Sequence, residues 1–145
     1  MKRILLTVLL LVCWVGIAQA KMVSIAGEMV NMRSGPGDSY EVLWELGLGY
    51  PLLVEEEQGD WLKVTDYEHD TGWVRKDQVS DKRYMVVKRR MVNIRSGPGE
   101  DFPVVRQAQQ GVVFRTLEKQ DDWVKVKHEE EDVTGWVQRN LLWGW

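Results

Sequence analysis

Cysteine, histidine and long apolar runs are all scarce in this sequence. The 145 residues contain one cysteine and two histidines, and the longest apolar run covers only residues 4–17. A lone cysteine cannot form an intramolecular disulfide, and so few thiols and imidazoles fall short of a zinc ligand set. A bilayer-spanning helix needs about 20 apolar residues. We therefore expect neither a disulfide scaffold, a resident metal or cofactor, nor a membrane span.

The first 20 residues have the pattern of a secretory signal peptide. The basic start Met1-Lys2-Arg3 precedes the apolar run, and Ala18-Gln19-Ala20 supplies the small residues of a cleavage site. We predict cleavage after Ala20, which also removes Cys13. Residues 21–145 would then act, without any thiol, in the periplasm or outside the cell.

Charge is unevenly distributed along the remaining chain. Residues 22–79 contain 4 basic and 12 acidic side chains, whereas residues 80–145 contain 12 basic and 10 acidic ones. The acidic excess of the whole argues against nucleic acid as a partner, because such binding needs a basic footprint. Basic residues gather at 82–83 and 88–90. This strip either attracts the acidic half, meets an anionic ligand, or is an ordinary solvated run of charge.

An internal repeat organises residues 21–145. Residues 29–37, MVNMRSGPG, recur as MVNIRSGPG at 91–99, and 16 of the 36 positions from 29 to 64 are identical at an offset of 62. The segment DWLKV at 60–64 recurs as DWVKV at 122–126, and TGWV at 71–74 recurs as TGWV at 134–137, after one inserted residue. We predict two domains, 21–80 and 83–145, joined by almost no linker.

Each repeat has the pattern of short strands joined by turns. Val30 and Met32 alternate with Asn31 and Arg33, and the Ser-Gly-Pro-Gly segments that follow both copies are typical of turns. Further strands are predicted near 42–46, 50–56 and 61–64, with matching strands in the second copy. No window has a helical apolar period. The sequence therefore predicts an all-β protein made of two small, partly open β-barrels.

The motifs N-[MI]-R-S-G-P-G, D-W-x-K-V and G-W-V, in this order and present twice, resemble the bacterial SH3-like (SH3b) family. The resemblance implies partly open barrels that end in a 3₁₀ turn near residues 75–79 and 139–143. It also implies an exported protein that binds peptidoglycan or its stem peptides, or another envelope protein. A proline-rich ligand is disfavoured, because Asn31-x-Arg33 and Asn93-x-Arg95 stand where relatives carry their proline-gripping residues.

The candidate ligand-binding residues come in equivalent pairs. Trp61 and Trp123 share a strand face with Lys63 and Lys125, so that an indole could stack on a sugar ring or peptide plane while the lysine meets a carboxylate. Tyr40 and Phe102 follow the turns and could face a groove. Arg33 and Arg95 could clamp a carboxylate or a phosphate. The aromatic residues and the arginines also have structural alternatives. The tryptophans could cover the end of the barrel, Tyr40 and Phe102 could pack over the turn, and the arginines could cap turn carbonyls.

Three other features favour structure over function. Trp73 and Trp136, between Gly and Val, are predicted to pack in the core or at its rim. His69 and His128 lie in acidic turns at 66–70 and 128–132, where we expect solvated loops rather than metal ligands. The apolar tail, residues 141–145, is predicted to pack on the second barrel or between the domains.

No nucleophile, metal set or acid–base pair stands in a recognisable motif, so we expect a binding protein rather than an enzyme. The leading hypothesis is a tandem module that recognises peptidoglycan or its stem peptides. The alternatives are a scaffold subunit of an envelope complex and a regulatory partner of a cell-wall hydrolase.

Overall fold

The computed structural model describes residues 20–145, which form two similar antiparallel sheets. Residues 1–19, with most of the predicted signal peptide and Cys13, lie outside the described residues. Within the described part of the chain, no helix has the length and apolarity needed to cross a membrane. The predicted all-β fold, with one small barrel per repeat, is confirmed.

The first repeat, which we call unit one, contains seven strands and one 3₁₀ turn. The strands are β1 (Lys21–Ile25), β2 (Met29–Arg33), β3 (Val42–Gly47), β4 (Pro51–Gln58), β5 (Trp61–Thr65), β6 (Thr71–Arg75) and β7 (Val79–Ser80), with the 3₁₀ turn at Lys76–Gln78. They pair in the order β3-β2-β6-β5-β4-β1-β7. The two outermost strands do not pair with each other, so the sheet is a partly open barrel.

Unit two repeats this arrangement strand for strand. Its elements are β8 (Tyr84–Val87), β9 (Met91–Arg95), β10 (Val104–Gln109), β11 (Val113–Gln120), β12 (Trp123–Lys127), β13 (Thr134–Gln138), a 3₁₀ turn at Arg139–Leu141, and β14 (Leu142–Gly144). The order is β10-β9-β13-β12-β11-β8-β14. The apolar tail therefore packs on its own barrel as the outermost strand β14, which pairs with β8 and also contacts β4 of unit one.

Strict alternation in the strands creates one core for each unit. In β5 the side chains of Leu62 and Val64 are buried while Trp61 and Lys63 are half-buried on the opposite face, and β12 follows the same pattern. Since successive side chains of a strand point to opposite faces, Leu62 and Val64 share the inner face, and Trp61 and Lys63 share the outer one. The two cores are separate clusters, with Met32 and Leu52 at the centre of one and Ile94 and Phe114 at the centre of the other.

Barrel closure depends on a glycine in β6 and its counterpart in β13. A Cβ at Gly72 would lie 2.6 Å from Met32 Cγ and 3.0 Å from the carbonyl oxygen of Arg33. At Gly135 the corresponding distances are 2.5 Å to Ile94 Cγ2 and 2.7 Å to the Arg95 carbonyl oxygen. Both are closer than van der Waals contact, so only glycine lets the closing strand approach β2 or β9.

The two units touch through tyrosine and backbone rather than through ion pairs. The ring of Tyr84 packs over Gly49, where a Cβ would lie 2.5 Å from Tyr84 Cδ1, and Gly49 itself has a φ of 82°. Ser24 donates a hydrogen bond of 2.7 Å to the carbonyl oxygen of Lys82 in the connection. Within residues 20–145, no salt bridge joins the basic strip at 82–83 and 88–90 to unit one.

Replacing the closing glycine tests this account of the fold. Gly135→Ala should lower the free energy of unfolding by about 2 kcal/mol, because the added methyl would lie closer to Ile94 and to the Arg95 carbonyl oxygen than van der Waals contact allows. Urea denaturation followed by tryptophan fluorescence measures the effect. The matched control is Gly47→Ala in β3, where a Cβ meets nothing within 4 Å. A loss of stability in the control as large as in Gly135→Ala would contradict the steric explanation.

Ionisation of Tyr84, at the contact between the two units, should lower the stability of the protein at alkaline pH. Burial, and then the hydrogen bond of 2.8 Å that its hydroxyl donates to Glu129, raise the pKa of Tyr84 from 10.0 to about 12. The folded state therefore favours the neutral phenol, and this contribution to stability is complete below pH 10 and disappears as the pH rises to about 12. Tyrosinate absorbance, with Tyr84→Phe as the reference, locates the titration. A Tyr84 pKa near 10 in the folded protein would contradict this interpretation.

Candidate functional site

The outer face of unit one carries a groove of about 290 Å³, which we call the Trp61 groove. Its polar and aromatic lining comes from the neighbouring strands β2, β6 and β5 and from the turn after β2: Asn31, Arg33, Asp38, Trp61 and Arg75, with Met29, Val30 and Gln78 completing the wall. β2 supplies Asn31 and Arg33, and the turn after it supplies Asp38. Trp61 begins β5 and lies opposite Arg75, which ends β6. The fold therefore gathers side chains that are up to 49 positions apart in the sequence.

Trp61 and Arg75 form the centre of this groove. They face each other in the register of β5 and β6, and the guanidinium carbon of Arg75 lies 5.7 Å from the centre of the indole ring. Arg75 also reaches Asp38 Oδ2 at 3.4 Å and Asp77 Oδ1 at 3.3 Å. The guanidinium thus lies within cation–π distance of an aromatic ring, in a position from which it can exchange a surface carboxylate for one carried by a ligand.

Arg33 shapes the turn beside the groove. Its Nη1 donates hydrogen bonds to the carbonyl oxygens of Asp38 at 3.0 Å and Tyr40 at 2.9 Å. The ring of Tyr40 lies directly against Gly35, where a Cβ would collide with the ring. The turn-capping alternative for Arg33 therefore describes its contacts, while Arg33 still lines the groove. Tyr40 is 48% exposed, with one side of its ring packed on the turn.

Lys63 lies on the same face as Trp61 but pairs with a different aromatic residue. In the sheet register Trp73 stands between Lys63 on β5 and Arg33 on β2. Lys63 does not line the Trp61 groove. Trp73 is half-buried in this row, and its counterpart Trp136 is buried, with 7% exposure, which agrees with the predicted rim packing.

Unit two keeps the turn but changes the groove. Arg95 Nη1 donates to the carbonyl oxygens of Glu100 and Phe102 at 3.0 and 2.9 Å, and Phe102 covers Gly97 as Tyr40 covers Gly35. Gln138 stands opposite Trp123, at the position that Arg75 occupies in unit one. Lys125 turns to Trp136, with its Nζ 6.0 Å from the ring centre. The predicted site residues are thus arranged alike in both units, but the guanidinium–indole pair occurs in unit one.

The acidic turns have a structural role in both units. The buried carboxylate of Asp66 accepts backbone N–H bonds of 2.9 Å from Glu68 and Asp70. His128 takes the same place in unit two, where its Nδ1 accepts from the N–H groups of Glu130 and Glu131 at 3.3 and 3.1 Å. His128 is therefore a loop-organising residue rather than a purely solvated one. Across residues 20–145, no group of three potential ligands is arranged to hold a metal ion.

Sequence reasoning missed Arg75 and Asp38 as members of the site. Arg75 ends the strand that contains Trp73, so alternation alone places both on one face. Its pairing with Trp61, however, depends on the register between β5 and β6, which nothing in the local pattern of either strand determines. Asp38 enters through the turn, whose conformation is set by Tyr40 packing on Gly35.

Removing the guanidinium that caps the turn tests its contribution to the stability of the fold. Arg33→Met should lower the free energy of unfolding by about 1 kcal/mol, because two charged hydrogen bonds to turn carbonyls are lost in an exposed setting. Arg95→Met should behave alike, since its contacts are the same. Urea denaturation gives the values. The control is the exposed Arg89→Met, which should change stability by less than about 0.5 kcal/mol; an equal effect in all three variants would refute the capping role.

Comparisons with known proteins agree with this geometry. The family model described as a bacterial SH3 domain matches residues 26–81 and again residues 88–144. A protein of Bacillus subtilis (strain 168) named "Putative N-acetylmuramoyl-L-alanine amidase YrvJ" is 32% identical over 131 residues. The alignment covers 81% of this chain but only 24% of that protein, so the chain spans about a quarter of the length of this relative.

Two solved structures show a more distant similarity. NlpC1 from Trichomonas vaginalis is 14% identical, with a TM-score of 0.40, over 88% of this chain and 46% of that one. An NlpC/P60 family protein from Bacillus cereus ATCC 10987 is 13% identical, also with a TM-score of 0.40, over 85% and 56%. At such scores the similarity assigns no function. The two family matches, each covering every strand of one barrel except its first, are the decisive finding, and the chain belongs to the bacterial SH3 domain family.

Proposed function

We propose that the protein is an exported, non-catalytic binding module that attaches to peptidoglycan or its stem peptides through its two SH3 domains. The observation that carries this proposal is the tandem family match, because bacterial SH3 domains are cell-wall binding modules. The relative named as an amidase also supports it, because N-acetylmuramoyl-L-alanine, in its name, is a unit of peptidoglycan. Both lines of support concern the wall rather than one chemical group within it.

The Trp61 groove has the chemistry that such a ligand requires. The face of an indole stacks on the apolar face of a sugar ring or on a peptide plane. Arg75 offers a guanidinium for a carboxylate, and Asp38 offers a carboxylate for an amine, the two charged groups of a peptide chain. Lys63, on the same face but outside the groove, extends the positive charge along the strand. The ligand is thus held by stacking in the middle and by charge at the sides.

Duplication adds avidity to what are weak individual sites. Unit two presents Trp123, Lys125, Arg95 and Phe102 at positions equivalent to those of unit one. A polymer that offers many copies of one group can occupy both units together, which raises the overall affinity without any new contact. Because Gln138 replaces Arg75, unit two binds carboxylates less strongly and serves as the auxiliary site.

We assign no catalytic role to this chain. The groove contributes aromatic, guanidinium, amide and carboxylate groups, which suit recognition. Amidase activity belongs to the name of a relative that is about four times longer than the matched region, so it is not transferred here.

A second candidate function rests on the outer strand β3. This strand exposes Val42, Leu43 and Trp44, with the Trp44 side chain 54% exposed. An apolar, unpaired strand edge is a surface to which another protein can add. This observation favours the alternative of an envelope scaffold subunit or a regulatory partner of a separate wall hydrolase.

Sedimentation with purified insoluble peptidoglycan tests the first function against the second. Residues 21–145 should pellet with the wall at low salt. Trp61→Ala should weaken binding by about tenfold, because loss of a central aromatic anchor typically costs more than 1 kcal/mol. Trp123→Ala and Arg75→Gln should have smaller effects.

The matched control is Trp44→Ala, which removes an exposed tryptophan of the same unit and should leave wall binding unchanged. Protein that stays in the supernatant would refute wall binding. Equal loss of binding in Trp44→Ala and Trp61→Ala would move the site from the groove to the strand edge.

A further inference from the structure

The two repeats differ sharply at the end of the barrel where the first and last strands of each unit meet. In unit one this end is neutral, because it contains two ion pairs. The ammonium group of Lys76 contacts the carboxylate of Glu57, and Lys21 Nζ lies 3.5 Å from Asp81 Oδ1. The four residues line one pocket. Each cation therefore has a carboxylate partner within reach.

Unit two keeps both cations at this end and loses both carboxylates. Arg139 replaces Lys76 and Arg83 replaces Lys21, whereas Lys119 stands at the position of Glu57 and Gly144 at that of Asp81. The backbone is the same in both units: β1 and β8 pair with β4 and β11 in the same register. Two ion pairs have thus become a cluster of three cations, Arg83, Lys119 and Arg139, which we call the cationic cluster.

The cationic cluster has no internal compensation. Within residues 20–145, none of its three members takes part in a salt bridge. Partial burial, and then the neighbouring Arg139 and Arg83, lower the pKa of Lys119. All three side chains are exposed and so can be reached from solvent. The arrangement costs folding stability, and an anion would relieve it.

The surroundings of the cationic cluster are built to receive such a group. Both the N–H and the hydroxyl of Thr116 donate to the carbonyl oxygen of Arg83, at 2.9 and 3.0 Å, which fixes the Arg83 backbone. The Arg83 guanidinium carbon lies 5.8 Å from the ring centre of Trp145, whose indole N–H is buried without an acceptor among the described residues. A groove of about 490 Å³ adjoins the cluster at Arg139 and is also lined by Trp143, Lys88 and Asp122.

We propose that the cationic cluster of unit two is a binding site for a phosphate group. Three neighbouring cations match an anion that carries more than one charge and several acceptor oxygens, and Arg binds phosphate through paired N–H donors. A single carboxylate would leave part of this charge uncompensated. The site lies on a different surface from the Trp61 groove and does not depend on the function proposed for that groove.

The adjoining groove bears on whether the bound phosphate is a free ion or part of a polymer. It offers an aromatic side chain, Trp143, and a further cation, Lys88, beyond the cluster. A free phosphate ion would use the cluster alone, whereas a phosphodiester polymer would place its next units along the groove. Both sources share the same chemistry, and only the second uses Lys88.

The test exchanges one residue between the repeats. Lys119→Glu rebuilds in unit two the ion pair that unit one already has, so the variant is expected to fold and to unfold at a slightly higher temperature than the parent. Titration with inorganic phosphate at constant ionic strength, followed by the fluorescence of the nearby tryptophans, measures affinity. Phosphate should bind the parent, and Lys119→Glu should weaken this binding by at least about tenfold, since a charge-assisted contact becomes a repulsive one.

The control is Lys127→Glu, which makes the same change of net charge at the far end of β12 and should leave phosphate affinity within about twofold. Titration with acetate at matched ionic strength should give a weaker response than phosphate. Equal phosphate responses in the parent and in Lys119→Glu would overturn the proposal, as would a response that chloride reproduces.

A second arm distinguishes the two sources of phosphate. Poly(glycerol phosphate) should bind more tightly per phosphate than inorganic phosphate, and Lys88→Gln should remove that difference without altering the affinity for the free ion. Equal affinity for both probes, still abolished by Lys119→Glu, supports a site for free phosphate. Wall sedimentation of Lys119→Glu should equal that of the parent, so the failure of one proposal would not be mistaken for failure of the other.

Discussion

Closure of each barrel depends on one close approach between two backbones. Gly72 lets β6 lie against Met32 and Arg33, and Gly135 does the same for β13 against Ile94. Without that approach the paired strands could not curve around a core of about ten apolar side chains, and small domains without disulfides have little stability to spare. The outer face of the same closing strand carries Trp73 and Arg75. The constraint that completes the core therefore also positions one wall of the Trp61 groove.

Local features of the sequence were sufficient to predict the strands but not the contacts between them. The alternation of Trp61, Leu62, Lys63 and Val64 identifies the buried side chains, because a strand repeats every two residues. The turns follow from Ser-Gly-Pro-Gly. The partners of Trp61 and Arg33 depend instead on register and on the packing of Tyr40 over Gly35, which are set by the whole sheet. For this reason Arg33 could be read as either a clamp or a cap, and Arg75 was missed.

Divergence between the repeats is informative because the backbone is nearly constant. Where the two units agree, as in the hydrogen bonds of Arg33 and Arg95, the shared feature maintains the fold. Where they differ, as at Arg75 and Gln138 or at Glu57 and Lys119, the barrel tolerates both residues and the change alters the surface alone. The acidic first unit and the basic second unit thus present different chemistry on one common scaffold.

Tyr84 of unit two packs over Gly49 of unit one, and this contact restricts the movement of the two barrels about their short connection. A flexible pair of domains would search a polymer for any two suitable groups. A pair held in place instead responds to the distance between those groups, and binds a repeating polymer tightly only when its period fits the spacing of the two sites. In the function that we propose, the contacts between the units make the spatial period of a polymer, as well as its chemistry, a determinant of binding.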